Sequence, residues 1–282
     1  EYFMMPHQLN WREICQMIPK RKADAQKGDF GRLLCITGSR NMPGACLLST
    51  QAALRGGAGL VTVATAPENP MRLAAAAPEA MWLPLETDEA GFLRSSDQNR
   101  KTLEKQLSRA NAVLLGCGLG VTEETRRLVH WVLEQAVCPV VLDADGLNCA
   151  VSCIELSRRT GKDWILTPHP GEMARLTGRS IPQIQENRVE TATQFAAAYP
   201  VTLALKGAGT LVAQGSRLAQ NPTGNPGMSR GGSGDVLAGL IAAFAAQGIP
   251  SWEAACAGVY LHGLAGDAAA AALSQQAMLP RD

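Results

Sequence analysis

Gly231-Gly232-Ser233-Gly234-Asp235 is the stretch in which residue type and spacing point most directly to chemistry. It ends a loop rich in Gly and Pro that begins at Asn221, and Val236, Leu237, Leu240, Ile241 and Phe244 then recur at helical spacing. The loop therefore feeds a helix start, where about four backbone N–H groups lack intrahelical partners and about half a positive charge collects. Glycines let an anion approach those amides, so Gly231, Gly232, Ser233 and Gly234 read as a phosphate seat or anion hole. A carboxylate at Asp235 would repel a seated phosphate. The conflict lifts if Asp235 is a base that takes a proton from a hydroxyl attacking the phosphoryl group. A second reading, in which the glycines make a tight turn and Asp235 caps the helix, stays open on this stretch alone.

Other candidates end short apolar runs. Pro139 to Leu142 leads into Asp143-Ala144-Asp145-Gly146-Leu147-Asn148, whose carboxylates could hold a hydroxyl or a hydrated Mg²⁺ or could simply solvate a loop. Trp164 to Thr167 leads into Pro168-His169-Pro170-Gly171-Glu172, where two prolines are expected to hold His169 on a stiff, extended loop. His7, His130 and His262 have no such setting and read as structural or surface residues. Val201 to Leu205 leads into Lys206-Gly207-Ala208-Gly209-Thr210, a charge with close backbone approach for nucleotide phosphates or ribose, or a hairpin turn into Leu211-Val212-Ala213. Gly116-Cys117-Gly118-Leu119-Gly120 follows Ala112 to Leu115, but its third glycine comes one residue too early for G-x-G-x-x-G. The loop Ser39 to Gly44 lacks the Gly-Lys-Ser/Thr ending of a P-loop.

The elements that must position these loops are strands near 32–37, 60–65, 81–85, 112–115, 139–142, 164–167 and 201–205. Helices are expected near 45–55, 122–136, 182–198, 235–247 and 252–273, with a short amphipathic one around Trp11, Ile14 and Ile18. Strand and helix alternate and each candidate loop follows a strand, which predicts an α/β fold, a mainly parallel sheet with helices on both faces and ligands at the strands' carboxyl edge. No linker-like stretch divides the chain, so residues 31–275 are expected to form one domain, with a lead-in at 1–30 and a tail at 276–282. The chain opens on Glu1 rather than Met, which reads as a trimmed chain or a piece of something longer.

With 26 basic and 25 acidic residues the net charge is +1, and no basic cluster is paired with aromatics, so nucleic acid is not an expected partner. Eight cysteines without a C-x-x-C pair or zinc spacing read as reduced core residues of a cytoplasmic protein. No run suits a membrane span, and nothing near the N-terminus resembles a signal peptide.

Ser39 to Ala45, Leu115 to Gly120, Leu142 to Asn148, Thr167 to Glu172, Lys206 to Thr210 and Asn221 to Gly239, in this order and spacing, resemble the ADP/ATP-dependent NAD(P)H-hydrate dehydratases, over roughly residues 10–275. Thr167 to Glu172 together with Gly224-Asn225-Pro226-Gly227-Met228 narrows the likeness from the wider ribokinase-like superfamily, whose sugar and vitamin kinases share the Gly-Gly-x-Gly-Asp ending. Ser229-Arg230 departs from the two small residues more usual there. The resemblance implies a ribokinase-like three-layer fold and a hydro-lyase that uses ADP (or ATP) with Mg²⁺ to restore NADH or NADPH from the S-epimer of its hydrate. By the same likeness Ala45, Gly118, His169 and Asp235 would touch the hydrated cofactor, and Lys206, Gly207, Ala208, Gly209, Thr210 and Gly234 the adenine nucleotide. It also implies an epimerase domain, fused or separate; the small apolar faces of the expected helices permit self-association as a homo-oligomer, and no metal ligand is evident. Two rivals keep the phosphate seat: a kinase of hydroxymethylpyrimidine or hydroxyethylthiazole type, and a non-enzymatic nucleotide sensor.

Overall fold

In the strand Arg32–Ile36, Leu33 and Cys35 enter one buried cluster while Leu34 and Ile36 enter another; Ala112 and Leu114 against Val113 and Leu115 divide in the same way. Both faces of these strands are covered, which is why they read as unbroken apolar runs rather than alternating ones. The structure, a computed structural model, describes residues 5–282; residues 1–4 of the expected lead-in lie outside the described residues.

The strands are β1 (His7–Gln8), β2 (Arg32–Ile36), β3 (Leu60–Thr65), β4 (Met81–Pro84), β5 (Ala112–Leu115), β6 (Val140–Leu142), β7 (Trp164–Leu166), β8 (Thr202–Leu205), β9 (Leu211–Gln214) and β10 (Arg217–Gln220). They form one sheet in the order β1-β10-β9-β8-β7-β6-β5-β2-β3-β4, and only β9 runs antiparallel to its neighbours. The α-helices are α1 (Trp11–Met17), α2 (Pro43–Arg55), α3 (Asn69–Leu73), α4 (Asp97–Leu107), α5 (Glu123–Gln135), α6 (Asp145–Ala150), α7 (Leu156–Thr160), α8 (Pro170–Thr177), α9 (Ile181–Glu186), α10 (Arg188–Ala198), α11 (Ser233–Ala246) and α12 (Ser251–Leu273). Helices α2, α11 and α12 bury small apolar residues on one face of the sheet, and α4, α5 and α10 cover the other. Among the described residues no helix is long and apolar enough to cross a membrane.

Several expectations need correction. The run from Asp143 is not a loop, because α6 begins at Asp145. His169 ends the short extended loop after β7, as expected, but the helix begins sooner than expected: Pro170 is the first residue of α8 and His169 its N-cap, the place proline favours because its missing N–H costs nothing there. The single helix expected at 182–198 is two, parted at Asn187. Strands β1 and β10 extend the sheet beyond the expected set, so the lead-in joins the main body through β1 and through the buried Leu9 and Ile14. At the other end the tail's Met278 is buried against Gly227.

The helix pair that carries the site depends on one close contact. A Cβ on Gly239 of α11 would lie 2.2 Å from the Ser49 carbonyl oxygen of α2, a distance no Cβ occupies. Gly239→Ala must therefore part α2 from α11, and a loss of about 1–3 kcal/mol is expected from overpacking. Thermal unfolding checks it; an unchanged midpoint would show that the two helices can separate freely.

Candidate active site

The parallel strands β2, β5, β6, β7 and β8 all deliver their following loops to one edge of the sheet, and the start of α11 faces the same edge. A cavity of about 770 Å³ opens there, lined by Asp143, His169, Glu172, Lys206 to Thr210, the loop Asn221 to Pro226, Gly232 to Asp235 and His262. That volume is in the range of small-molecule sites, about 300–1,000 Å³. A smaller cavity of about 460 Å³ behind Met228 to Ser233 contains neither Asp235 nor Lys206.

Its electrostatic centre is Asp143, which is 1 % exposed at the end of β6. Lys206 Nζ lies 3.0 Å from Asp143 Oδ1, Thr167 Oγ1 donates to the same oxygen at 2.7 Å, and Cys117 Sγ is 3.6 Å from Oδ2. Burial works against the Lys206 ammonium, but Asp143 and Glu172 outweigh it and leave its pKa above the ordinary lysine value. The backbone is forced here: Ala144 has φ 51°, and Gly116 crosses so tightly that a Cβ would lie 2.0 Å from the Asp143 carbonyl oxygen. A non-glycine residue in that region costs about 1–3 kcal/mol and persists only where its surroundings fix it.

Asp235 stands in the first turn of α11, after Gly232 in the left-handed region at φ 100°. Polar atoms of Asp235, Cys117 and Asp143 all lie within 4.8 Å of one another. Burial, then the Asp143 charge, raise the Asp235 pKa to about 7, with Cys117 and Lys206 pulling the other way. The carboxylate is thus poised to exchange a proton near neutrality. The Ser233 amide is spent on the Arg230 carbonyl at 3.2 Å, and Gly231 does not line the cavity. Among the described residues the Gly234 amide has no partner, and a Cβ on Gly234 would lie 3.0 Å from Lys206 Nζ. An unpartnered amide and an ammonium thus lie close together at the start of α11, and of the four expected residues Gly232, Ser233 and Gly234 line the cavity.

Lys206 to Thr210 is the hairpin turn between β8 and β9, as one reading expected, and it also lines the cavity. Thr210 Oγ1 donates to the Gly207 carbonyl at 3.0 Å, and Arg188 of α10 braces the turn from beneath through the Leu205 and Lys206 carbonyls at 2.9 and 3.2 Å. Arg188 has no local sequence signal, because only the tertiary fold brings α10 under β8. His169 Nδ1 accepts from the Gly171 and Glu172 amides at 3.0 and 3.2 Å, while Glu172 Oε2 accepts from the His169 amide at 2.8 Å. Burial and the charges of Lys206 and Arg175 lower the His169 pKa, and burial raises that of Glu172 to about 7. Ala45 and Gly118 lie against each other: a Cβ on Gly118 would come 2.9 Å from that of Ala45, and neither lines the cavity. The Gly118 loop still adjoins Asp235 through Cys117.

Two residues read as bystanders belong to the site. His262 of α12 lines the cavity, where burial and Lys206 depress its pKa to about 4. Cys117 is a buried core residue, as expected, and its thiol also lies between the Asp143 and Asp235 carboxylates.

A family model described as NAD(P)H-hydrate dehydratase matches residues 33–282. The bifunctional NAD(P)H-hydrate repair enzyme of Moorella thermoacetica is 42% identical over 94% of this chain and 50% of its own length. The ADP-dependent (S)-NAD(P)H-hydrate dehydratase of Neisseria meningitidis is 38% identical over 88% of this chain and 80% of its own. A crystal structure of the ADP/ATP-dependent NAD(P)H-hydrate dehydratase of Bacillus subtilis, co-crystallised with ATP/Mg²⁺, superposes with a TM-score of 0.82 at 30% identity, covering 99% of this chain and 95% of that one. The chain spans about half the length of the bifunctional relatives it matches. The fold is the ribokinase-like one implied by the sequence resemblance.

Proposed function

Because the chain belongs to the NAD(P)H-hydrate dehydratase family, we propose that it restores NADH or NADPH from the S-epimer of the hydrated cofactor, with ADP or ATP as phosphoryl donor. The observation that carries this reading is Asp235, a carboxylate with a pKa near 7 beside the unpartnered Gly234 amide and the Lys206 ammonium.

Asp235 takes the proton of the ring hydroxyl, whose oxygen attacks the terminal phosphoryl group. The nucleotide leaves one phosphate shorter, while the amides near Gly234 and the Lys206 charge stabilise the transferring group. The ring nitrogen's lone pair then expels phosphate, and loss of a proton from the adjoining carbon restores the double bond. Ala45, Gly118 and His169 are assigned to the hydrated cofactor, and Lys206 to Thr210 with Gly234 to the nucleotide. Mg²⁺ belongs to the reading only as the nucleotide's counter-ion. The one candidate cluster among the described residues, Cys117-Asp143-Asp235, offers a thiol, a carboxylate already paired with Lys206 and the Asp235 carboxylate that this reading uses as the base, which does not fit an octahedral oxygen shell.

A cytoplasmic setting is supported by eight cysteines with no disulfide among them. An epimerase domain, fused or separate, is the expected partner, since this site handles one epimer. Self-association is part of the same reading, through exposed apolar side chains of α12 such as Leu264 and Leu273.

The test is recovery of reduced-nicotinamide absorbance when the protein meets hydrated NADH and ADP or ATP across a range of pH. Activity should rise with pH through about 7 as Asp235 loses its proton and level off above. Nucleotide consumption without recovery would point to the kinase, and binding without turnover to the sensor.

A further inference from the structure

The loop Asn221 to Pro226 forms one wall of the larger cavity, and its anchors come from one face of α12. Asn221 Nδ2 donates to the Val259 carbonyl at 3.0 Å and Thr223 Oγ1 to the Tyr260 carbonyl at 2.8 Å. About one turn on, Gly263 packs so closely beneath the loop that a Cβ would lie 2.1 Å from Thr223 Oγ1. A further turn along, Asp267 closes the series: Oδ2 accepts from the Gly224 amide and Oδ1 from Asn225 Nδ2, both at 3.0 Å. Asn225 Oδ1 in turn accepts from the Gly227 amide at 2.9 Å, which carries the constraint into the next residues.

Three features separate this carboxylate from an ordinary surface acid. It has no basic partner among the described residues and is committed to two N–H donors of consecutive loop residues. The residue it holds, Gly224, has φ 103°, a conformation with no steric preference of its own to keep it in place. Asp267 does not line the cavity, whereas the residues it fixes do.

We propose that Asp267 is a positioning residue for the nucleotide, holding Gly224 and Asn225 so that the cavity wall is formed before the nucleotide arrives. The inference rests on the proposed use of this cavity for ADP or ATP. Preformed walls raise affinity by removing an ordering cost, so the effect falls on nucleotide binding and not on proton transfer at Asp235.

Calorimetric titration with ADP tests this without requiring turnover. Asp267→Ala should weaken ADP binding about tenfold or more, the scale of one or two charge-assisted hydrogen bonds. In the coupled assay the KM for nucleotide should rise with kcat and the KM for the hydrated cofactor nearly unchanged. Asp267→Asn keeps one acceptor oxygen and should lose less. Asn225→Ala should reproduce part of the loss, and combining it with Asp267→Ala should cost little more than Asp267→Ala alone, because both remove one contact. Unchanged ADP affinity in folded Asp267→Ala, a fall in kcat alone, or full additivity would overturn the proposal. If Asp267→Ala does not fold, Asp267→Asn and Asn225→Ala carry the test, and wild-type ADP affinity in both overturns it. Wild-type protein that binds ADP without regenerating reduced cofactor would sink the dehydratase reading and leave Asp267's role standing; wild-type protein that binds neither ADP nor ATP would sink both.

Discussion

Asp235→Asn should lower kcat by about 10²–10⁴-fold, the usual contribution of a positioned general base, while ADP affinity stays close to that of the wild type. The amide keeps the shape of the carboxylate and leaves the Gly234 amide and the Lys206 ammonium in place, so the phosphate seat survives and only the proton acceptor is lost. A second consequence separates this carboxylate from a mere helix cap. Its pKa in the folded protein is about 7 against an ordinary value of 3.8, so the folded state holds a proton that the unfolded state releases. Stability from this group is complete below the unfolded value and is lost as pH rises toward about 7. Asparagine never ionises, so the variant should gain in thermal midpoint relative to the wild type as pH climbs through that window. An inactive variant that is more stable above neutrality is the expected pair of results, a trade common where a site is built against its own stability. A variant that is less stable at every pH would mean that Asp235 caps α11; one with full turnover would mean that another group takes the proton.

The sheet was legible because both faces of its strands are covered, so Leu33 to Ile36 and Ala112 to Leu115 are unbroken apolar runs. β1 was not, being two residues that pair with β10 only in the folded chain, and β10 carries no such run. That Asp235, Lys206 and His169 would gather at one sheet edge was legible because each stands at or beside an element boundary next to Gly or Pro, and such junctions leave a local trace. Cys117, Arg188 and His262 were not. Each acts through something distant in sequence: Cys117 across to Asp143, Arg188 beneath the carbonyls of β8, His262 opposite the loop after β10. Spacing in one dimension carries no record of such contacts. The same limit explains α6, where Asp143-Ala144-Asp145-Gly146 has the composition of a turn and becomes a helix entry because Ala144 takes a positive φ.

Lys206 should show the other large effect, and its two roles can be pulled apart. Lys206→Met keeps the apolar stem and removes the charge, which strands Asp143 at 1 % exposure without its counter-ion. Breaking a buried pair from one side costs about 3–5 kcal/mol, because the surviving charge has lost its only compensation. Thr167 still donates to Asp143, but a neutral hydroxyl offsets little of that. The pH dependence of turnover should move upward as well, since Lys206 is one of the groups that hold the Asp235 pKa down. Adding Asp143→Asn to Lys206→Met removes the stranded charge and should return most of the stability in urea unfolding. It cannot return the cation beside Gly234, so ADP binding should remain weak in the double variant. Recovery of wild-type ADP affinity there would mean that Lys206 serves the fold alone and that the phosphate seat consists of backbone amides only.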